Sequence, residues 1–175
     1  MSNYDFGEAL RWFHLAAGRG HAQASYNIGV AYELGGGVAP NFTEAKTWYD
    51  RAADRGYGPA FTALAALFDN GRGVRQDHRE AVRLYIEGAE RHDVAAMLAL
   101  ADIYAGGEGV EHNIDQALFW TRKAAEDGSV EAMFRIGALD AATEGDAARA
   151  EQGRIMIRRA AEAGHVGARA WMAEH

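Results

Sequence analysis

The chain repeats itself every 36 residues, and a fixed period of that length constrains architecture more than any local feature does. The pair Ala16-Ala17 returns as Ala52-Ala53, Gly88-Ala89, Ala124-Ala125 and Ala160-Ala161, with no insertion or deletion between copies. Other columns keep the same step: Ala24, Ala60, Ala96, Ala132 and Ala168; Ile28, Leu64, Leu100, Ile136 and Met172; Gly29, Ala65, Ala101, Gly137 and Ala173. Such a period belongs to stacked supersecondary units, each too small to bury its apolar face alone.

Spacing within a unit is helical. Ala60, Leu64, Leu67 and Phe68 fall on one face at steps of four, three and one, which suits two helices per unit and no strand. The first helix, as in 59–70, opens on Pro59 and stops at Asn70-Gly71, residue types that tolerate a helix start and a left-handed stop. The second opens on a repeated cap: Asp5 with Glu8, Asn41 with Glu44, Asp77 with Glu80 and Asn113 with Gln116. Each reads as an Asx N-cap followed at N3 by an acid or amide, a relative of the capping box.

Between the two helices stand Gly35-Gly36-Gly37-Val38, Gly71-Arg72-Gly73-Val74 and Gly107-Glu108-Gly109-Val110. Phosphate-cradling glycine loops join a strand to a helix; these join two helices and are read as tight turns. The fourth copy, Thr143-Glu144-Gly145-Asp146, departs from the pattern, and Arg149 stands in its cap column. A looser connection, with the helix starting at Asp146, is expected there.

These residues resemble the Sel1-like repeat, a relative of the tetratricopeptide repeat. The resemblance rests on Ala24, Ile28-Gly29, Tyr32, Gly35-x-Gly37-Val38, Asn41, Ala45, Trp48, Ala52-Ala53 and Gly56, and on their copies in the third unit, Leu100-Ala101 through Ala124-Ala125. It implies an all-α fold, an α/α superhelical solenoid of nine helices stacked pairwise. The register gives one repeat domain over 1–175: an unpaired helix at about 5–18, units at about 21–56, 57–92, 93–128 and 129–164, and a terminal half-unit at 165–175. Small residues at the Ala24 and Gly29 columns allow close helix crossings. Trp12, Trp48, Trp120, Tyr32, Phe68 and Tyr104 are expected to fill the spaces between units.

Chemistry is sparse by comparison. Twenty-five acids against 18 bases give a net charge of -7, which argues against nucleic acid as a partner. Zero cysteines exclude disulfides, thiolate metal sites and a cysteine nucleophile. No apolar run nears the roughly 20 residues of a membrane span, and Asp5 and Glu8 in the opening stretch do not suit a signal peptide; a cytoplasmic location is expected. Some members of the resembled family are β-lactamase-like or penicillin-binding, but neither Ser25 nor Ser129 is followed three residues on by lysine. None of the seven histidines pairs at i, i+4 as helical metal ligands do. Glu108, Glu111 and His112 share a loop that could attract a cation only weakly, and Arg72, Arg75, Arg79 and Arg83 form the densest basic cluster. No cofactor, metal site or catalytic residue is expected.

The resemblance therefore implies a non-enzymatic adaptor of bacterial type, binding a protein or peptide on its concave face. By analogy with tetratricopeptide units, that face would carry Tyr26, Val30 and Glu33; Thr62, Ala66 and Asp69; Leu98, Asp102 and Ala105; Phe134, Ala138 and Ala141. Apolar anchors Tyr26, Leu98 and Phe134 beside the acids Glu33, Asp69 and Asp102 suit a segment whose apolar residues are flanked by Lys or Arg. The alternatives are a β-lactamase-like or penicillin-binding enzyme, disfavoured by the missing Ser-x-x-Lys, and a structural segment of a longer repeat scaffold; weak self-association is expected through the C-terminal end at Trp171 and Met172.

Overall fold

The structure, a computed structural model, describes residues 6–107 and 109–175. Ten α-helices and no strand lie among the described residues: α1 Phe6–Gly18, α2 Ala22–Leu34, α3 Phe42–Ala53, α4 Gly58–Asn70, α5 His78–Ala89, α6 Val94–Gly106, α7 Ile114–Glu126, α8 Val130–Ala141, α9 Ala147–Glu162 and α10 Val166–Glu174. The expected nine falls one short, because a lone second helix, four pairs and a lone first helix make ten. The closest pairings are α2 with α3, α4 with α5 and α8 with α9, the two helices of one unit in each case. Contacts divide the chain into two compact units, the residues up to Ala96 and Met97–His175, with the division in the first turn of α6.

The caps form as the sequence predicts, with one correction. Asn41 Oδ1 accepts from the backbone N–H of Thr43 at 3.0 Å and of Glu44 at 3.1 Å; Asp77 Oδ1 accepts from Arg79 and Glu80 at the same distances, and Asn113 Oδ1 from Gln116 at 3.0 Å. Asp5 lies outside the described residues. In a full capping box the N3 side chain accepts from the N-cap N–H. Here that N–H is taken by the preceding helix: Asn41 donates to the Tyr32 carbonyl at 2.7 Å, and Asp77 and Asn113 donate to those of Phe68 and Tyr104 at 2.9 Å. Each cap thus ties the two helices of a unit together.

Glycine is required at both ends of the turn. Gly71 and Gly73 hold φ of 65° and 69°, the left-handed region where a Cβ is penalised. A Cβ on Gly73 would also sit 2.6 Å from Phe42 Cβ, so the turn of one unit lies directly on the start of the second helix of the unit before. In the fourth copy α9 starts where expected, with Asp146 accepting from the Arg149 N–H at 3.0 Å.

The Ala24 column is buried throughout: Ala60, Ala96, Ala132 and Ala168 are 0% exposed and Ala24 6%, whereas the Gly29 column ends on an exposed Ala173. Ile28, Leu64, Leu100 and Ile136 beside them are 0 to 3% exposed, whereas Met172 is 40% exposed. Close packing leaves no room for a side chain at Gly29, where a Cβ would meet the Tyr49 ring at 2.5 Å. One aromatic departs from expectation. Trp48 is covered by His14, edge-on at 5.0 Å, and by the Arg51 guanidinium at 4.3 Å, but Trp12, lacking such a cover among the described residues, is 64% exposed.

Candidate interaction site

In the compact unit that ends at Ala96, Tyr26, Val30 and Glu33 of α2, Thr62 and Ala66 of α4, and Asp93 just before α6 line one cleft of about 460 Å³. Five of these six were read from sequence; Asp93 was not. The helical step brings Tyr26, Val30 and Glu33 to one side of α2, and the 36-residue period places Thr62 and Ala66 correspondingly on α4.

Each aromatic or polar group in the cleft has a structural partner. Tyr26 packs on Tyr57 at 5.4 Å and Tyr49 at 5.5 Å between ring centroids. Tyr49, 1% exposed, donates its hydroxyl to Glu33 Oε2 at 2.6 Å. Burial, then that bond to the Glu33 carboxylate, pushes the Tyr49 phenol far above its ordinary value. Tyr26 is raised too, by burial first and then by Tyr57, Asp93 and Glu33. The Thr62 hydroxyl donates to Asp93 Oδ2.

A rule connects these contacts. Tyr26 meets Tyr57, Thr62 meets Asp93, and Phe134 meets His165 with ring centroids 4.6 Å apart; each pair is 31 residues apart. The column expected to offer anchors to a partner therefore also joins one unit to the residue that opens the next. Tyr57 and His165 stand at the N-cap positions of α4 and α10, where His165 Nδ1 accepts from the Ala168 N–H at 3.0 Å. The other His165 nitrogen, Nε2, lies 2.8 Å from Glu131 Oε2. Arg135 first, and His165 second, hold the Glu131 carboxyl below its usual range.

The remaining expected residues are placed apart from this cleft. Asp69 pairs with His78 Nδ1 at 2.7 Å, and Asp102 with Arg135 at 2.6 Å. Glu33 has a looser cation, Arg72, at 3.9 Å. Asp102 thus has a permanent cation beside it, whereas His78 is a cation beside Asp69 only when protonated. In the second unit Leu98 is half-buried, Ala105 exposed, and Phe134 and Ala141 pack against the cluster of Ile157, Ala160 and Ala168. Ala138 and Ala141 line a separate hollow with Arg154 and Trp171.

The sequence reading also missed a site in the fourth copy. Asp140 stands in the column of Tyr32, Phe68 and Tyr104, is 6% exposed, and accepts from Arg149 Nε at 2.7 Å. The positions that elsewhere share a backbone hydrogen bond here share an ion pair. Two departures from the pattern, nine residues apart, are one substitution in chemical terms.

Of the two serines considered as nucleophiles, one is buried and the other caps a helix. Ser25 is 1% exposed, and Ser129 accepts from the Ala132 N–H at 3.2 Å as the N-cap of α8. Ser2 and Glu108 lie outside the described residues. Among the described residues, no three His, Asp or Glu side chains gather as metal ligands do, and no helix is long and apolar enough to cross a membrane.

The family model of the Sel1 repeat matches residues 2–21, 22–57, 62–93, 94–129 and 130–165. This chain belongs to the Sel1 repeat family. Among solved structures, a Sel1 repeat protein from Oxalobacter formigenes is 29% identical with a TM-score of 0.82, over 94% of this chain and 67% of that one. A protective antigen of uropathogenic Escherichia coli displaying an SLR fold is also 29% identical, TM-score 0.78, over 97% of this chain and 36% of that one. Helicobacter pylori cysteine rich protein B, at 21% identity and TM-score 0.60 over 75% of this chain and 95% of that one, shares the fold. No protein of curated function matches this chain. Sel1 repeat proteins are generally protein-interaction modules, built on a scaffold that is in general non-catalytic.

Proposed function

We propose that this Sel1 repeat chain is a non-enzymatic adaptor that holds an extended segment of a partner protein in the cleft between α2 and α4. The observation that carries this reading is the convergence of Tyr26, Val30, Glu33, Thr62 and Ala66, from two successive units, on one open cleft. An apolar floor with a few fixed polar groups is the usual composition of a recognition site. Leu98, Asp102 and Phe134 hold the same repeat columns in Met97–His175 and are a separate candidate face of that unit. Phe134→Ala is expected to weaken partner binding by more than about 1 kcal/mol, as loss of an anchor does.

The decisive variant is Ala66→Arg, which fills the cleft from a half-buried position. A partner captured by the parent from the source cell, and then titrated in purified form, should lose most of its affinity for the variant while the thermal melt stays close to the parent's. Parent-like binding by Ala66→Arg would place the site elsewhere, with the arginine cluster of Arg72 to Arg83 the next surface to test.

A further inference from the structure

The acids read from the sequence differ from those in the cleft. Asp102 pairs with Arg135 at 2.6 Å, and Asp69 lies 2.7 Å from His78 Nδ1, a partner that is a cation only when protonated. Glu33 and Asp93 are held differently, each by a neutral hydroxyl from another helix: Tyr49 on Glu33 Oε2 and Thr62 on Asp93 Oδ2. A hydroxyl fixes a carboxylate's direction without cancelling its charge, and a carboxylate has further acceptor sites on its second oxygen. Arg72, the cation nearest Glu33, is 3.9 Å away and leans on the Phe42 ring at 5.8 Å. No lysine or arginine among the described residues pairs with Asp93. Among the described residues, Glu33 and Asp93 are also the only charged ones that line the cleft. Beside them stand the Tyr26 ring, whose π-face attracts a cation, and the aliphatic floor of Val30 and Ala66.

We infer that the cleft seats a lysine or arginine side chain of an extended protein segment, its charge held by Glu33 and Asp93 and its aliphatic stem lying along Tyr26, Val30 and Ala66. This rests on the proposed function and adds the chemistry of the occupant. Long basic side chains suit such a place because an apolar stem and a charged head are satisfied at once. The assignment moves the acidic determinant from Asp69 and Asp102 to Asp93, which sequence reading did not single out.

Isosteric variants test it, since Glu33→Gln and Asp93→Asn each keep a carbonyl oxygen for the Tyr49 or Thr62 hydroxyl and remove only charge. The probes are fluorescein-labelled peptide amides of alternating valine and lysine, and the same sequence with glutamine for lysine, read by anisotropy. The lysine peptide is expected to bind the parent about tenfold more tightly than the glutamine peptide, a difference of about 1.4 kcal/mol, with the gap narrowing as salt rises. Asp93→Asn should lower lysine-peptide affinity by about tenfold, whereas Asp69→Asn, of equal net charge, should leave it unchanged. Equal binding of the two peptides, no binding of the lysine peptide, or equal effects of Asp93→Asn and Asp69→Asn would overturn the inference. A natural partner that is lost on Ala66→Arg but kept on Asp93→Asn would leave the cleft as the site and remove its basic occupant.

Discussion

Tyr49 has two demands placed on it by neighbours from the same unit. Its ring fills the notch left by the absent side chain of Gly29, and its buried hydroxyl needs an acceptor, which Glu33 supplies. Tyr49→Phe keeps the ring and removes the bond, so it should cost about 1.5–3 kcal/mol in urea unfolding, the range for a hydrogen bond to a charged group. An unchanged midpoint would mean the bond contributes nothing net. Tyr85 repeats the position one unit on, with burial first and Asp69 second pushing its phenol from 10.0 up to about 12. The folded chain then holds this proton more tightly than the unfolded chain does. Its contribution to stability is full below about pH 10 and is lost as the pH rises through about 12. Tyr85→Phe should flatten the alkaline limb of the stability curve, and a limb as steep as the parent's would assign the loss to other groups. Ala96, 0% exposed, would lie 3.1 Å from a Cβ on Gly88; Ala96→Leu should therefore destabilise by about 1–3 kcal/mol through overpacking.

At the scale of elements, the junction of α8 with α9 is the place where the repeat is rewritten. A Cβ on Gly153 would come 2.3 Å from the Ala141 nitrogen, so the two helices cross with no room for a side chain there. Asp140 and Arg149 fasten the same crossing at 2.7 Å, with Arg122 3.7 Å from the carboxylate. Arg149→Ala leaves a buried carboxylate with only its distant cation and should cost about 1–2 kcal/mol. Restoring the column with Asp140→Tyr in the same chain should recover part of that loss, which a double-mutant cycle by chemical unfolding would measure; strict additivity would show the two positions to be independent. Helix existence, the Asx caps and the start of α9 were legible in the sequence because each depends on residues within one turn of chain. The Asp140–Arg149 pair was not, because each residue viewed alone is only a lapse from the repeat. Asp93 escaped for a similar reason: its significance lies in Thr62, 31 residues away, and column-by-column reading compares residues 36 apart rather than those in contact.

Within each compact unit, the helices that pack together are neighbours in sequence order, and no cysteine cross-links the chain. Stability in such arrays is close to a sum of local terms, and local opening follows the same divisions. Phe134→Ala, which removes a half-buried ring from the Ile157, Ala160 and Ala168 cluster, should cost about 1–3 kcal/mol. Hydrogen exchange should show the lost protection in α8, α9 and α10, with α2 to α4 protected as before; uniform loss over all helices would make the chain a single cooperative block. The pairs at a separation of 31 also bear on how such a gene can grow. Duplication of the 57–92 block would set Thr62 of the first copy against Tyr57 of the second, and its deletion would set Tyr26 against Asp93, neither of which reproduces an observed pair. The blocks share one outline but carry different joints, so their order is inherited along with their number, and a newly copied block would have to acquire a matching joint before it could pack as its neighbours do.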